Sequence, residues 1–280
     1  GIFRFTGYRC QKVIPLTPMH FNDYFQKIVF DRGNSNRIFL LGMSRLVAAE
    51  NNQLMDKGSL LPYPEKDFYV NLFQDKSDKL WLVTSKSLYQ CVNFKLTAFN
   101  ASNGYTNSST LAVFQDRENN IWLGTNGSGI LRFADQPFEI YDQFGAASNA
   151  VIMFMLEGND QRLYLGTDGS GLFILDGAKI LPVHIPSEQP LDQHIINLSK
   201  GSGNDIYILT SASRLWKYSD NRVKEILLPH IDRCINAVLP DGNGGFYIGG
   251  CDGCYYYAAD GETTPILSAY CNNLLYISRD

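Results

Sequence analysis

Phe114-Gln115-Asp116-Arg117-Glu118-Asn119-Asn120-Ile121-Trp122-Leu123-Gly124-Thr125, running on into Asn126-Gly127-Ser128-Gly129-Ile130-Leu131-Arg132-Phe133, decides the fold of this chain. An apolar run, a turn rich in Asp and Asn, a second apolar run and a Gly-rich turn follow one another at strand length. The runs are too short and too regularly broken for a 3.6-residue period. The unit recurs as Leu163-Tyr164-Leu165-Gly166-Thr167-Asp168-Gly169-Ser170-Gly171, and more weakly from Leu80, Ile206, Phe246 and Ile38. The equivalent residues stand at 38, 80, 121, 163, 206 and 246, so the period is 40–43 residues. Each period holds four short strands, the content of a propeller blade.

The expected fold is therefore all-β. First strands are predicted near 24–30, 69–74, 110–115, 151–157, 194–199 and 234–239, and apolar runs such as Ile152-Met153-Phe154-Met155-Leu156 imply burial on both faces. Phe39, Trp81, Trp122, Tyr164, Tyr207 and Tyr247 share one repeat position, where a large ring can wedge between neighbouring blades. At the ends, residues 2–5 match a third strand and residues 274–280 a first strand. Joined, they predict a seven-bladed β-propeller of four-stranded antiparallel blades, with the last blade built from both chain ends. On this reading 1–280 is a single β-propeller domain, and Gly1 in place of an initiator Met implies a processed chain or an excised fragment.

Composition agrees. Of 280 residues, 45% are hydrophobic and 13% aromatic, enough for a packed core. A net charge of −4 argues against a nucleic-acid partner, and no apolar run reaches membrane-spanning length. No Gly-x-Ser-x-Gly elbow, phosphate loop or His-Glu-x-x-His occurs. The four histidines, His20, His184, His194 and His230, are scattered at no metal-ligand spacing, so neither catalysis, a metal nor a cofactor is expected. Cys251 and Cys254 flank a turn and are candidates for a local disulfide or for two thiols. Cys234 and Cys271 precede successive first strands and are candidates for a bridge in an oxidising compartment.

Asp116-x-x-x-Asn120-Ile121-Trp122-Leu123-Gly124-Thr125-x-x-x-Gly129-Ile130-x-Arg132-Phe133 resembles the two-component regulator propeller repeat. The match is close at 116–133 and 160–175, fair at 75–90, 203–218 and 241–257, and weak at 31–48. Departures are Val83 and Leu209 for the first Gly, Gly250 for Thr, and Lys86-Ser87 in place of the hairpin Gly. The resemblance implies the periplasmic sensor region of a hybrid two-component histidine kinase of the Bacteroidetes type. It would respond to glycan fragments without catalysis, have an adjacent propeller as an alternative partner, and dimerise through the parent receptor. The acidic turn also resembles the Asp-box of sialidase propellers, so a sialidase- or lyase-like carbohydrate-active enzyme is the alternative, with a protein-interaction scaffold as a third.

In such a blade the Gly hairpin and the segment leading into the next first strand fall at one end, and the Asp turn at the other. Asn22, Tyr69, Asn107, Asn149, His194, Arg233 and Asn272 stand just before or at the start of first strands. Tyr69, Asn107, Asn149, His194, Arg233 and Asn272 are the ligand-binding candidates, because amides, a ring and a cation suit sugar hydroxyls and carboxylates. Arg233 is expected to matter most for an acidic saccharide.

Overall fold

A computed structural model describes residues 2–6, 9–14, 25–55, 68–92, 95–99, 105, 109–134, 138–145, 147, 149–228 and 234–268. The chain begins with a two-stranded antiparallel sheet, β1 (Ile2–Thr6) and β2 (Arg9–Ile14). Blade 1 is β3 (Phe25–Phe30), β4 (Arg37–Gly42), β5 (Leu46–Glu50) and β6 (Gln53–Leu54). Blade 2 is β7 (Tyr69–Gln74), β8 (Leu80–Thr84), β9 (Leu88–Val92) and β10 (Lys95–Phe99). Blade 3 is β11 (Thr110–Gln115), β12 (Ile121–Thr125), β13 (Ile130–Phe133) and β14 (Glu139–Tyr141). Blade 4 is β15 (Ile152–Glu157), β16 (Leu163–Thr167), β17 (Leu172–Asp176) and β18 (Lys179–Val183). Blade 5 is β19 (Ile195–Lys200), β20 (Ile206–Thr210), β21 (Leu215–Ser219) and β22 (Arg222–Ile226). Blade 6 is β23 (Ile235–Pro240), β24 (Phe246–Gly250), β25 (Cys254–Tyr257) and β26 (Thr263–Leu267). In every blade the strands pair in sequence order.

The all-β propeller and its four-stranded antiparallel blades stand, and the predicted first strands agree with the observed ones to within a residue. The blade count does not stand. Six four-stranded blades are present among the described residues, not seven. Residues 2–6 pair with residues 9–14, a neighbour close in sequence, in a two-stranded sheet of their own among the described residues. A local hairpin has little closure entropy to overcome. The other half of the expected blade, 274–280, lies outside the described residues.

Two compact units divide the chain: Gly1–Arg4 with Gln11–Asp142, which holds blades 1–3, and Phe5–Cys10 with Gln143–Asp280, which holds blades 4–6. Within each unit the repeat-position rings fill the space between neighbours. Phe39 packs with Leu72, Leu80 and Leu82 of blade 2. Trp81 joins Ile121, Leu123 and Leu131 of blade 3. Tyr164 meets Ile206, Ile208 and Trp216 of blade 5, and Tyr207 stands edge-on to Phe246 of blade 6 at 4.8 Å. Each such side chain contributes about 2–3 kcal/mol by burial.

Burial within a blade corrects a second expectation. The second strands β8, β12, β16 and β20 are buried at every residue. The first strands are only half-buried, and Met153 in β15 is 37% exposed. A second strand has a partner on each side, whereas a first strand ends its sheet. Every first strand also carries a register irregularity between its first and third residues, from Phe25/Lys27 in blade 1 to Ile235/Ala237 in blade 6. The repeated bulge bends each strand at the same point.

Candidate functional site

The two ends of the blades have different chemistry. At the acidic-turn end the carboxylates are consumed by their own turns. Asp116 Oδ1 accepts the Asn120 N–H at 2.8 Å, and Oδ2 accepts Asn120 Nδ2 and the Trp122 indole Nε1, each at 2.7 Å. Asp75 likewise takes the N–H groups of Ser77 and Lys79 and the Trp81 indole at 2.9 Å. Asp160 accepts the Tyr164 hydroxyl at 2.8 Å. Asp241 accepts the Asn243 and Gly245 N–H groups and the Tyr256 hydroxyl. Burial pushes the Asp241 carboxyl up, and these hydrogen bonds overcome it, leaving the carboxyl below the ordinary range. The turn therefore clamps an aromatic ring to its own hairpin.

At the opposite end, in blades 2–6, the residue after the second strand donates its N–H to the residue that leads into the first strand. The pairs are Ser85 to Phe68, Asn126 to Ser109, Asp168 to Val151, Ser211 to His194 and Cys251 to Cys234, at 2.8–3.1 Å. The Gly hairpins and lead-in segments thus meet at one end of each blade. In blades 2–4 a buried Thr closes the second hairpin: the hydroxyls of Thr84, Thr125 and Thr167 donate to the carbonyls of Ser87, Gly129 and Gly171, whereas that of Thr210 in blade 5 turns to Asp192. Gly129 has φ +77°, and a Cβ there would fall 2.2 Å from the Tyr141 carbonyl oxygen, so no side chain fits.

The candidate residues fare differently. Tyr69 is 3% exposed, packed into the cluster shared by blades 1 and 2. Asn149 is exposed. Asn107, Arg233 and Asn272 lie outside the described residues, as does Asn22. His194 is half-exposed and forms a bridge to Asp168 of the neighbouring hairpin, its Nδ1 hydrogen-bonded to Asp168 Oδ1. Gly169, at φ +94°, lies against the imidazole, where a Cβ would come within 3.3 Å of Cε1. The carboxylate orients the ring through Nδ1. Sequence reading placed His194 at this end but did not pair it with Asp168, because the two residues belong to different blades.

Two features escaped the sequence. The first is a polar cluster beneath His194. Asp192, fully buried on the 3-10 turn Pro190–Gln193, accepts Thr210 Oγ1 at 2.6 Å and Trp216 Nε1 at 3.3 Å through Oδ1. Its Oδ2 accepts Ser187 Oγ and Arg214 Nη1, both at 2.5 Å. Arg214 forks onto Glu225 through Nε and Nη2 at 2.6 Å and lies 4.5 Å from the Trp216 ring centroid. Burial pushes the Asp192 carboxyl up; hydrogen bonds from Ser187, Thr210 and Trp216 and the Arg214 charge hold it below the carboxylate range. The repeat gives no signal for this cluster, since Ser187, Asp192 and Glu225 are outside the repeated motif.

The second is the disulfide. Cys234 bonds Cys251, with Cα atoms 5.5 Å apart. It corrects the expected pairings: Cys254 is buried outside the bridge, and Cys271 lies outside the described residues. The bridge sits at the hairpin-to-lead-in contact that the other blades make through backbone alone. It also adjoins Gly250, which stands where blades 2–5 carry Thr. Among the described residues, no group of three His, Cys, Asp or Glu side chains could hold a metal ion.

Among solved structures, a streptogramin B lyase superposes with a TM-score of 0.70 at 12% identity, covering 90% of this chain and 85% of that one. A virginiamycin B lyase from Staphylococcus aureus, determined with quinupristin, gives 0.67 at 13% identity, covering 84% and 79%. A protein described as the extracellular domain of a hybrid two component system from B. thetaiotaomicron gives 0.62 at 17% identity, covering 95% of this chain and 43% of that one. The chain thus spans less than half of that domain, and at these identities the likeness is one of fold. No curated protein matches the sequence. Residues 104–127 match the family described as two component regulator propeller. That stretch holds the Asp116 turn, Trp122 and Thr125, among the residues on which the resemblance rested, and within it the chain is similar to the two component regulator propeller repeat.

Proposed function

We propose that this chain is the extracytoplasmic, non-catalytic sensing propeller of a two component signalling receptor, and that it takes a glycan fragment at the hairpin and lead-in end of its blades. The observation that carries the choice of end is the oriented His194 imidazole, half-exposed beside Asp168, against an opposite end whose carboxylates are engaged in their own turns. In the second unit Asn149, His194, Arg233 and Asn272 are the candidate contacts; in the first it is Asn107, since Tyr69 is buried in the core. The Cys234–Cys251 disulfide supports an oxidising, periplasmic setting. No helix among the described residues is long and apolar enough to cross a membrane.

Calorimetric titration of the protein against a panel of glycan fragments tests this reading. His194→Ala is expected to weaken binding of the recognised fragment about five-fold or more, the loss of one hydrogen bond. Asp168→Asn should do part of the same by releasing the ring. Equal affinity in all three proteins would move the site elsewhere. A lyase reading is favoured by the superposition on streptogramin B lyase, which covers most of both chains. Incubation with quinupristin, followed by mass spectrometry, decides it: a changed product would replace the sensing reading with a catalytic one.

A further inference from the structure

Cys234 and Cys251 hold the lead-in and hairpin positions that belong to Val151 and Asp168 in blade 4 and to His194 and Ser211 in blade 5. Blade 6 secures this junction in its own way. Gly250 replaces the Thr, and its N–H reaches the Gly253 carbonyl at 2.8 Å with no hydroxyl to help. A Cβ on Gly250 would stand 3.1 Å from the Cys234 carbonyl oxygen, so the lead-in runs close over the hairpin. The Cys251 N–H donates to that carbonyl at 3.1 Å, and the disulfide adds a covalent tie.

The backbone at this tie is strained. Cys234 has φ +61°, a left-handed conformation that side chains rarely hold, whereas His194 at the same position is extended at φ −96°. Cys251 is an exposed turn residue, where a thiol in solution can approach. Cys234 Sγ stands 3.7 Å from Asn236 Oδ1. While bridged the sulfur has no proton to give; once reduced, its thiol has an acceptor in place, which favours the open form. After Cys234 the chain is fixed, because Ile235 donates its N–H to Ser213 Oγ at 3.1 Å and pairs with Gly250. Relaxation of φ at Cys234 therefore swings the chain before it, which begins with Arg233.

We propose that Cys234–Cys251 is a thiol-exchange site that latches the lead-in of blade 6, and that a dithiol reductant opens it in the folded protein. One thiolate of the reductant attacks Cys251 Sγ, the S–S bond breaks, and Cys234 leaves as a thiolate that takes up a proton. The second thiol then attacks the reductant's own sulfur in the mixed disulfide and releases Cys251 as a thiol. The protein gains two electrons and two protons, and the dithiol becomes a disulfide. The consequence for ligand rests on the sensing reading, in which Arg233 is a candidate contact. Dithiothreitol treatment in native buffer and in urea, quenched with iodoacetamide and read by peptide mass spectrometry, tests the site. In native buffer the bridge should be reduced at no less than about a tenth of the rate in urea, with far-ultraviolet circular dichroism unchanged. Slower reduction, or reduction only with loss of the dichroism, overturns the site. Trypsin reads the latch: cleavage after Arg233 should quicken about ten-fold in Cys234→Ser with Cys251→Ser, and cleavage at other sites should not change. Unaltered cleavage after Arg233, or cleavage quickened at every site, overturns the latch. Should the double variant not fold, reduced and alkylated wild type takes its place under the same two outcomes. Neither assay uses a sugar, so their failure leaves the sensing reading standing, and a failed glycan titration leaves the latch standing.

Discussion

Asp192 shows how a single residue can hold a lead-in segment in place. Its carboxylate is fully buried and meets four donors, including Arg214. Removing it would leave the Arg214 guanidinium half-compensated and the Trp216 indole without its acceptor. Asp192→Ala is expected to cost about 3 kcal/mol or more, measured by urea unfolding. The pH dependence has a definite sign. Because the folded carboxyl titrates below its unfolded value, it stabilises the fold above about pH 4, and that contribution is lost as pH falls further. Asp192→Asn should therefore show a flatter decline of stability on acidification than wild type. A parallel decline would show that other carboxylates carry the acid sensitivity.

The first hairpin of each blade is both the best-read element and the most regular one. The Asp turn and the ring six residues on are written into the sequence at 75 and 81 and at 116 and 122, and they meet as an indole-to-carboxylate hydrogen bond. Asp116→Ala is expected to cost about 2 kcal/mol by orphaning the Trp122 indole and the Asn120 N–H, with the loss read from the midpoint of chemical unfolding. These hairpins were legible because every contact that defines them lies within a dozen residues. The chain ends were not, since three apolar residues around Arg4 at 2–5 suit any strand, and their partner at 9–14 left no mark in the repeat. The His194–Asp168 pair and the Asp192 cluster were hidden for another reason: their partners come from different blades and appear once each. The disulfide was missed because spacing sets Cys251 only with Cys254, as a turn bridge or two thiols, and Cys234 only with Cys271, whereas the strand register places Cys251 beside Cys234. Closing a loop of 17 residues, it should contribute about 3 kcal/mol. Reduction with dithiothreitol, or Cys234→Ala with Cys251→Ala, should lower the melting temperature and quicken hydrogen exchange first in β23 and β24.

Across the whole chain, each described core cluster joins one blade to its sequence neighbour within a unit. Stability in such an array is shared between adjacent repeats. Tyr207→Ala should cost about 3 kcal/mol or more and loosen blades 5 and 6, with blades 1 and 2 little changed in hydrogen-exchange mass spectrometry. Uniform loosening would show instead that the chain unfolds as one body. The outermost strands complete the picture. Those of blades 1 and 3 are only two and three residues long. Those of blades 4 and 5 alternate polar charge, Lys179 in one and Arg222, Lys224 and Glu225 in the other; blade 2 opens its own with Lys95. Pro182 and Pro265 withhold an N–H from blades 4 and 6. Short, charged or proline-broken margins cannot template a further strand. The protein can then be held at high concentration with six sheets that each end in such a strand, without seeding cross-β fibres.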